Sequence, residues 1–249
     1  GVMLTGNNLA GNVMYGIELG VLYRGERELC FLPLAHAYSC AFNFLVPMAV
    51  GAHVYLLGKV PSPKILLKAF EEVKPNLILT VPLILEKIYK KMILPQLSKT
   101  TMKVALNIPL LDSRIYAQIR KKLVDAFGGR FREVIVGGAA MNEEVTNFLY
   151  KIKFPFTIGY GMTECGPLIS YDHNDEYVPG SCGQILKGIM KVRIDSEDPY
   201  NKVGEIQVSG ENVMKGYYKN EEATSKVFTE DGWLRTGDLG TIDADNRIY

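Results

Sequence analysis

The chain is poor in the residues that build metal cages and cross-links. Its 249 residues include only 4 cysteines and 3 histidines. Cys30, Cys40, Cys165 and Cys182 form no C-x-x-C pair, and His36, His53 and His173 are scattered, so a His/Cys metal cage is not expected. So few cysteines in so long a chain do not make a disulfide framework either, and a reducing cytoplasm is the default compartment. Charge of one sign is also lacking: 28 basic against 27 acidic residues leave a net +1. That balance provides no polyanion-binding surface and argues against nucleic acid as a partner. No uninterrupted stretch reaches the roughly 20 apolar residues of a membrane span. The nearest, AFNFLVPMAVGAHVYLLG (41–58), is broken by Asn43, Pro47, Gly51 and His53; it reads as a buried helix followed by a buried strand, with no transmembrane segment. No signal peptide, internal repeat or low-complexity tract stands out. No G-x-G-x-x-G follows an early strand, which removes the Rossmann dehydrogenase reading.

What is present is an ordinary globular composition, 47% hydrophobic and 22% charged, long enough for one large domain or two modest ones. Apolar runs alternate with amphipathic runs through residue 180. LCFLPLAH (29–36), GAHVYLL (51–57), NLILTVP (76–82), REVIVGG (132–138) and FTIGYG (156–161) read as strands. SPKILLKAFEEVKP (62–75) reads as a helix capped by Ser62, with Pro63 at its first position and Ile65, Leu66, Ala69, Phe70 and Val73 on one face. LILEKIYKKM (83–92) and NEEVTNFLYKI (142–152) are further helices, and 93–125 is mostly helical. Alternating strands and helices predict an α/β fold with mostly parallel sheets flanked by helices. Near Pro179-Gly180 the pattern changes. KVRID (191–195) and GEIQVSG (204–210) alternate with period two, and TIDADNRIY (241–249) reads as strand, turn and return strand. The expected division is an α/β core over 1–180 and a small antiparallel β subdomain over 181–249.

In such sheets ligands sit beyond the carboxyl ends of the strands, and two of those ends carry unusual residues. After VIV (134–136), Gly137, Gly138, Ala139 and Ala140 have almost no side chain, so a flat ligand can lie on the backbone, and the amides opening the 142–152 helix can face an anion. Close helix packing explains the same small residues. In GYGMTE (159–164), Gly159 and Gly161 permit positive φ and close approach, Tyr160 offers a stacking face, the Thr163 hydroxyl suits a phosphate oxygen, and Glu164 is a hard ligand for Mg²⁺. That set fits a nucleotide better than it fits a plain strand turn. In GWLRTGDLG (232–240), Asp238 sits in a tight turn where its carboxylate can take both hydroxyls of a ribose, or only its own turn bond.

Together these segments resemble the adenylate-forming superfamily of acyl-CoA synthetases, luciferases and peptide-synthetase adenylation domains. GVML (1–4), LPLAHAYS (32–39), GGAAM (137–141), GYGMTE (159–164), GEIQVSGENVMKGYY (204–218) and WLRTGDLG (233–240) match its motifs in order. The resemblance implies the large N-terminal domain of an enzyme that activates a carboxylic acid with ATP and Mg²⁺ and passes the acyl group to coenzyme A. It also implies roles: Gly137 to Ala140, Gly159, Tyr160, Gly161 and Met162 around adenine, Thr163 on phosphate, Glu164 on Mg²⁺, Asp238 on ribose, and His36 beside the acyl carboxylate. For His36, a purely structural role is the even alternative. Long-chain fatty acid-CoA ligases are the most similar branch, which implies a cytoplasmic enzyme with an optional peripheral membrane contact to collect a lipid; aryl and short-chain members are near alternatives. Gly6 stands where such synthetases often have His. The phosphate loop ahead of Gly1 and the hinge and catalytic lysine beyond Tyr249 are expected to lie outside the chain, whose ends look cut, so that it would be inactive alone. An amino-acid-loading adenylation domain and a non-catalytic nucleotide-binding module are the competing readings.

Overall fold

The computed structural model describes residues 1–106, 108 and 111–249. The chain opens with strand β1 (Val2–Met3) and a helix, Gly6–Glu18, started by a capping box. There the Thr5 hydroxyl accepts the Asn8 amide at 3.2 Å, and Asn8 Oδ1 accepts the Thr5 amide at 2.7 Å. Five strands follow: β2 (Arg27–Cys30), β3 (His53–Leu56), β4 (Leu77–Thr80), β5 (Glu133–Val136) and β6 (Phe156–Ile158). They form one sheet in the order β3-β2-β4-β5-β6, and every pairing is parallel. β4 and β5 are buried along their whole length, as a sheet covered on both faces requires. The two-residue side-chain period sorts their residues between two cores. Leu77, Leu79 and Ile135 face Phe42, Val46 and Ile169, whereas Ile78, Val134 and Val136 face Phe70, Phe127 and Leu149.

The helices that cover the sheet start where local chemistry says they should. Ser62 Oγ accepts the Ile65 amide at 3.4 Å at the head of Pro63–Val73, and Leu66, Ala69 and Phe70 are buried beneath it. Asn142 Oδ1 accepts the Val145 amide at 3.2 Å at the head of Glu143–Lys151. The expected helical stretch 93–125 is three helices, Leu94–Leu97, Thr100–Ala105 and Leu111–Ala126; positions 107, 109 and 110 within it lie outside the described residues.

Three expectations need correction. The 41–58 stretch is not one regular helix and a buried strand. A π-helix, Cys40–Leu45, is spliced between Ala37–Ser39 and Val46–Val50, and the Val46 amide bonds the Ala41 carbonyl five residues back. Pro47 has no N–H to give to the Asn43 carbonyl, so the ladder shifts register there. The strand that follows, β3, is an edge, with Tyr55 41% and Leu56 65% exposed. The change from parallel to antiparallel pairing comes right after β6, ahead of Pro179-Gly180: β7 (Tyr160–Gly161), β8 (Leu168–Tyr171) and β9 (Gln184–Ile185) form a separate antiparallel sheet. Beyond it, β10 (Met190–Asp195) and β11 (Gly204–Gly210) pair antiparallel, β12 (Gly216–Tyr217) pairs back onto β1, and β13 (Leu234–Gly240) completes the β10-β11-β13 sheet. Residues 241–249 form no full hairpin strand; an Ile242–Ile248 bridge closes a turn with Asn246 at φ 58°. Among the described residues no helix is long and apolar enough to cross a membrane.

Candidate functional site

The carboxyl ends of β5 and β6 open into a cavity of about 660 Å³. Gly138, Ala139 and Ala140 line it from the β5 end, Gly159, Tyr160 and Gly161 from the β6 end, and Asp238 from β13. A second, smaller cavity of about 50 Å³ adjoins it, sharing Gly138, Gly159, Tyr160 and Gly161 and adding His36, Tyr38, Gly137, Met162 and Thr163. The fold thus gathers nearly all of the residues singled out in the sequence around two neighbouring spaces. Glu164 lines neither.

Tyr160 stands between the two spaces. Its hydroxyl donates to Asp238 Oδ2 at 2.6 Å across 78 residues of sequence. Burial, and then the Asp238 carboxylate, push this phenol above its ordinary range, so it is a donor at neutral pH. Asp238 is not in an isolated tight turn, as its neighbours suggested. It lies within β13, where Gly237 takes φ 77° opposite a register shift in β11. The carboxylate is exposed and has one oxygen turned to Tyr160.

Glu164 sits in a short 3-10 turn, Thr163–Cys165. The Met214 amide donates to its carbonyl at 2.7 Å, and the Tyr217 hydroxyl donates to Oε1 at 2.8 Å. Among the described residues no hydrogen bond reaches Oε2. Tyr217 is pushed up to about 12 by burial and by this carboxylate, so it too stays protonated. Nothing in GENVMKGYY points to this role for Tyr217, because a tyrosine in a Gly-rich strand carries no local sign of a partner 53 residues away. A half-buried carboxylate with one oxygen fixed and the other open is a fit donor for Mg²⁺, which takes one or two protein carboxylates and completes its shell with phosphate and water. Among the described residues no group of three or more His, Cys, Asp or Glu gathers into a self-sufficient metal site.

The glycines do different work from that expected. Neither Gly159 nor Gly161 has positive φ; Gly138 does, at 88°. Gly161 is required by proximity instead, because a Cβ there would press into the Pro167 carbonyl, which already accepts the Met162 amide at 2.9 Å. Gly161→Ala is expected to cost about 1–3 kcal/mol, read as a lower urea midpoint at unchanged slope. The head of the helix is also partly committed: the Asn142 amide donates to Glu86 Oε1 at 3.0 Å, and the Val145 amide goes to the Asn142 cap. Glu143 and Glu144 then occupy the first turn. Those four features disfavour an anion at this helix start.

His36 is exposed and heads the Ala37–Ser39 turn without a side-chain cap bond. Its backbone amide bonds the Pro33 carbonyl at 3.0 Å. Tyr38, two residues on, has no sequence signal that marks it as part of the site. Its hydroxyl donates to the Ile135 carbonyl at 3.1 Å and its ring lies against Gly137, so it forms the floor between the small cavity and an apolar pouch of about 20 Å³ behind it.

A model of the family described as "AMP-binding enzyme" matches residues 1–218. The chain is 29% identical to long-chain-fatty-acid–CoA ligase 1 of Saccharomyces cerevisiae over 100% of this chain and 39% of that protein. It is 31% identical to 4-coumarate-CoA ligase 1 of Narcissus pseudonarcissus over 100% of this chain and 43% of that one. The chain therefore spans about two fifths of the length of these curated relatives. The fold is shared with the AMP complex of O-succinylbenzoate coenzyme A synthetase from Bacillus subtilis, at TM-score 0.75 and 24% identity, over 100% of this chain and 45% of that one. With its strand ends, its gathered turns and its match over residues 1–218, the chain belongs to the AMP-binding enzyme family.

Proposed function

We propose that this chain is the nucleotide- and acid-binding part of an ATP-dependent acid–thiol ligase. In the first half-reaction a carboxylate oxygen attacks the α-phosphorus of ATP. The bond to the β-phosphate oxygen breaks, and acyl-AMP and pyrophosphate form. In the second, a thiolate, that of coenzyme A, attacks the acyl carbonyl, the bond to the AMP oxygen breaks, and AMP leaves. The observation that supports this best is the convergence of the Gly138–Ala140 turn, Tyr160 and Asp238 on one cavity, with Thr163 and His36 on the space next to it.

Each residue then has a role. The small turn and the Tyr160 ring hold the adenine. Asp238, oriented by the Tyr160 hydroxyl, takes the ribose hydroxyls through its free oxygen. Thr163 donates to phosphate, and Glu164 holds Mg²⁺, which when bound supplies positive charge against the charge developing on phosphate. His36 lies where it can meet the acyl carboxylate. The enzyme works in the cytoplasm, and touches a membrane surface only if its acid is a lipid.

For the acid, a long-chain fatty acid is the first reading. A specific observation favours a second, an aryl or short acid: the space beside His36 is about 50 Å³ and the pouch beyond Tyr38 about 20 Å³, room for only a few water-sized groups. Carboxylate-dependent ATP–pyrophosphate exchange by the full-length polypeptide, over acids from acetate through palmitate, benzoate, 4-coumarate and amino acids, separates these. A maximum with palmitate supports the first and a maximum with 4-coumarate or benzoate the second. Folded protein that binds ATP but exchanges with no acid overturns the ligase reading and leaves a nucleotide-binding module.

A further inference from the structure

The sheet buries a carboxylic acid that none of the roles above uses. Glu28, in the middle of β2, has no exposed surface. It is in register with Val54 on β3 and with Leu77 on β4, both apolar. Its Oε1 lies 2.6 Å from the Asn43 amide, and its Oε2 has no hydrogen-bond partner. Two other titratable groups sit near enough to sense it: Cys30 on its own strand and Tyr38 on the helical run above. Among the described residues no cation offsets it. Burial pushes the acid up to about 8, against the lowering effect of the Asn43 bond, so at neutral pH it carries a proton.

Asn43 lies inside the π-helix and connects Glu28 to the turn that carries His36. Its Oδ1 is 2.9 Å from Ser39 Oγ, and Ser39 Oγ is 3.2 Å from the Leu32 carbonyl. Ser39 has one hydroxyl proton for these two acceptors, so one of the two contacts is unmet; the Cys30 thiol, 3.7 Å from Ser39 Oγ and 3.6 Å from the Leu32 carbonyl, lies beside them. Turning the Asn43 amide over resolves the conflict. Glu28 then donates to the amide oxygen, the amide nitrogen donates to Ser39, and Ser39 donates to Leu32. Every polar group in the string except Glu28 Oε2 is satisfied, and the direction of the bonds requires the protonated acid.

We propose that Glu28, Asn43 and Ser39 form a buried relay that positions the Leu32–His36 turn, and through it His36, at the cavity shared with Thr163. Glu28 is a positioning residue; it touches neither nucleotide nor acid. Its importance for turnover rests on the reading of His36 as the group beside the acyl carboxylate. The positioning itself does not. Ionising Glu28 reverses the first bond of the string, which forces the amide back and releases Ser39 from Leu32.

The test reads His36 directly. The chain has 3 histidines, so the ring resonances of His36, His53 and His173 can be followed one by one in ¹H–¹³C spectra as pH is raised. In the unmodified chain the His36 signal is expected to show an additional step where Glu28 ionises, at about 8 or above, because an amide oxygen turned toward the acid favours its protonated form. Glu28→Gln, neutral at every pH, abolishes that step. Ser39→Ala, which cuts the string beside Leu32, displaces the His36 signal by more than its linewidth and leaves His53 in place. In the full-length polypeptide, Ser39→Ala lowers acid-dependent exchange about fivefold, the loss of one hydrogen bond. A His36 signal unmoved by Ser39→Ala and without a step that depends on Glu28 overturns the relay. His36 signals that respond as described in a protein without exchange activity uphold the relay and overturn only the ligase reading.

Discussion

Glu164→Ala is expected to reduce acid-dependent ATP–pyrophosphate exchange by about 10²–10³-fold, the scale seen when one preorganised charge-stabilising group is removed from a transition state. Glu164 is fixed at three points: by the turn that contains it, by the Met214 amide on its backbone carbonyl, and by the Tyr217 hydroxyl on Oε1 of its carboxylate. The preorganisation is thus provided by β12 as well as by Glu164 itself. Tyr217→Phe keeps the carboxylate and removes its clamp, so it is expected to cost about fivefold, the share of one hydrogen bond. ATP affinity without metal should be nearly unchanged in Glu164→Ala, because the residues proposed to hold adenine and ribose line a cavity that Glu164 does not. The Mg²⁺ concentration for half-maximal exchange should rise more than about tenfold, as expected for a ligand of the ion. Exchange that survives Glu164→Ala within about twofold, a difference too small to mark a charge-stabilising group, would remove Glu164 from the reaction and leave its bond to Tyr217 as a structural tie.

The second large effect concerns stability. Glu133→Ala is expected to destabilise the fold by about 3 kcal/mol, the lower end for breaking a buried charged pair because His173 is partly exposed. Glu133 is 3% exposed at the start of β5. Its Oε1 accepts the Tyr171 hydroxyl at 2.6 Å and faces His173 Nδ1 at 3.3 Å, and its Oε2 accepts the Asn174 amide at 3.1 Å. Nε2 of His173 meets the Leu19 carbonyl at 3.0 Å. A carbonyl only accepts, so Nε2 carries a proton. The Tyr171 proton is already given to Glu133, so Nδ1 faces two oxygens, that of Tyr171 at 3.0 Å and Oε1 of Glu133 at 3.3 Å, and both favour a proton there. His173 is thus held toward its imidazolium form. It ties the end of the first helix, β5 and the segment after β8 together.

The pH dependence follows from that pair. The Glu133 bond raises His173 above its ordinary 6.5, so this contribution is complete below 6.5 and is lost as pH rises through the raised value. Burial alone would raise Glu133, but the bonds from His173, Tyr171 and Asn174 outweigh it and hold the acid below its ordinary 4.5. Its contribution is complete above 4.5 and is lost as pH falls through the lowered value. From these two groups stability should be flat between those limits and decline on both sides. Urea midpoints across pH check this. His173→Gln should remove the decline on the alkaline side and, because it also takes away the first of the bonds that hold Glu133 low, shrink the acid one; an unchanged alkaline decline in His173→Gln would assign it to another group.

Both predictions depend on contacts between distant segments, and this is where the sequence stops being informative. Alternation of apolar runs marked the strands of the parallel sheet, and Ser62, Pro63 and Asn142 marked where two helices begin, because caps and periodicity act within a few residues of chain. The order of the Gly-rich segments placed Tyr160, Thr163, Glu164 and Asp238 among the residues of interest for the same reason: each segment is legible within a few residues of chain, although Asp238 proved to lie inside β13. The tertiary structure alone decided what these residues touch. Tyr160 reaches Asp238, Tyr217 reaches Glu164, and Glu133 reaches His173 only because β13, β12 and the segment after β8 come back to residues far away in the chain. It also decided that β3 is an edge and that Pro47 produces a π-helix whose Asn43 turns toward Glu28. An acid inside a short strand pattern looks like a solvated residue. Whether it is solvated depends on which strands lie beside it, and strand order follows from the packing of the whole sheet rather than from any local run of residues.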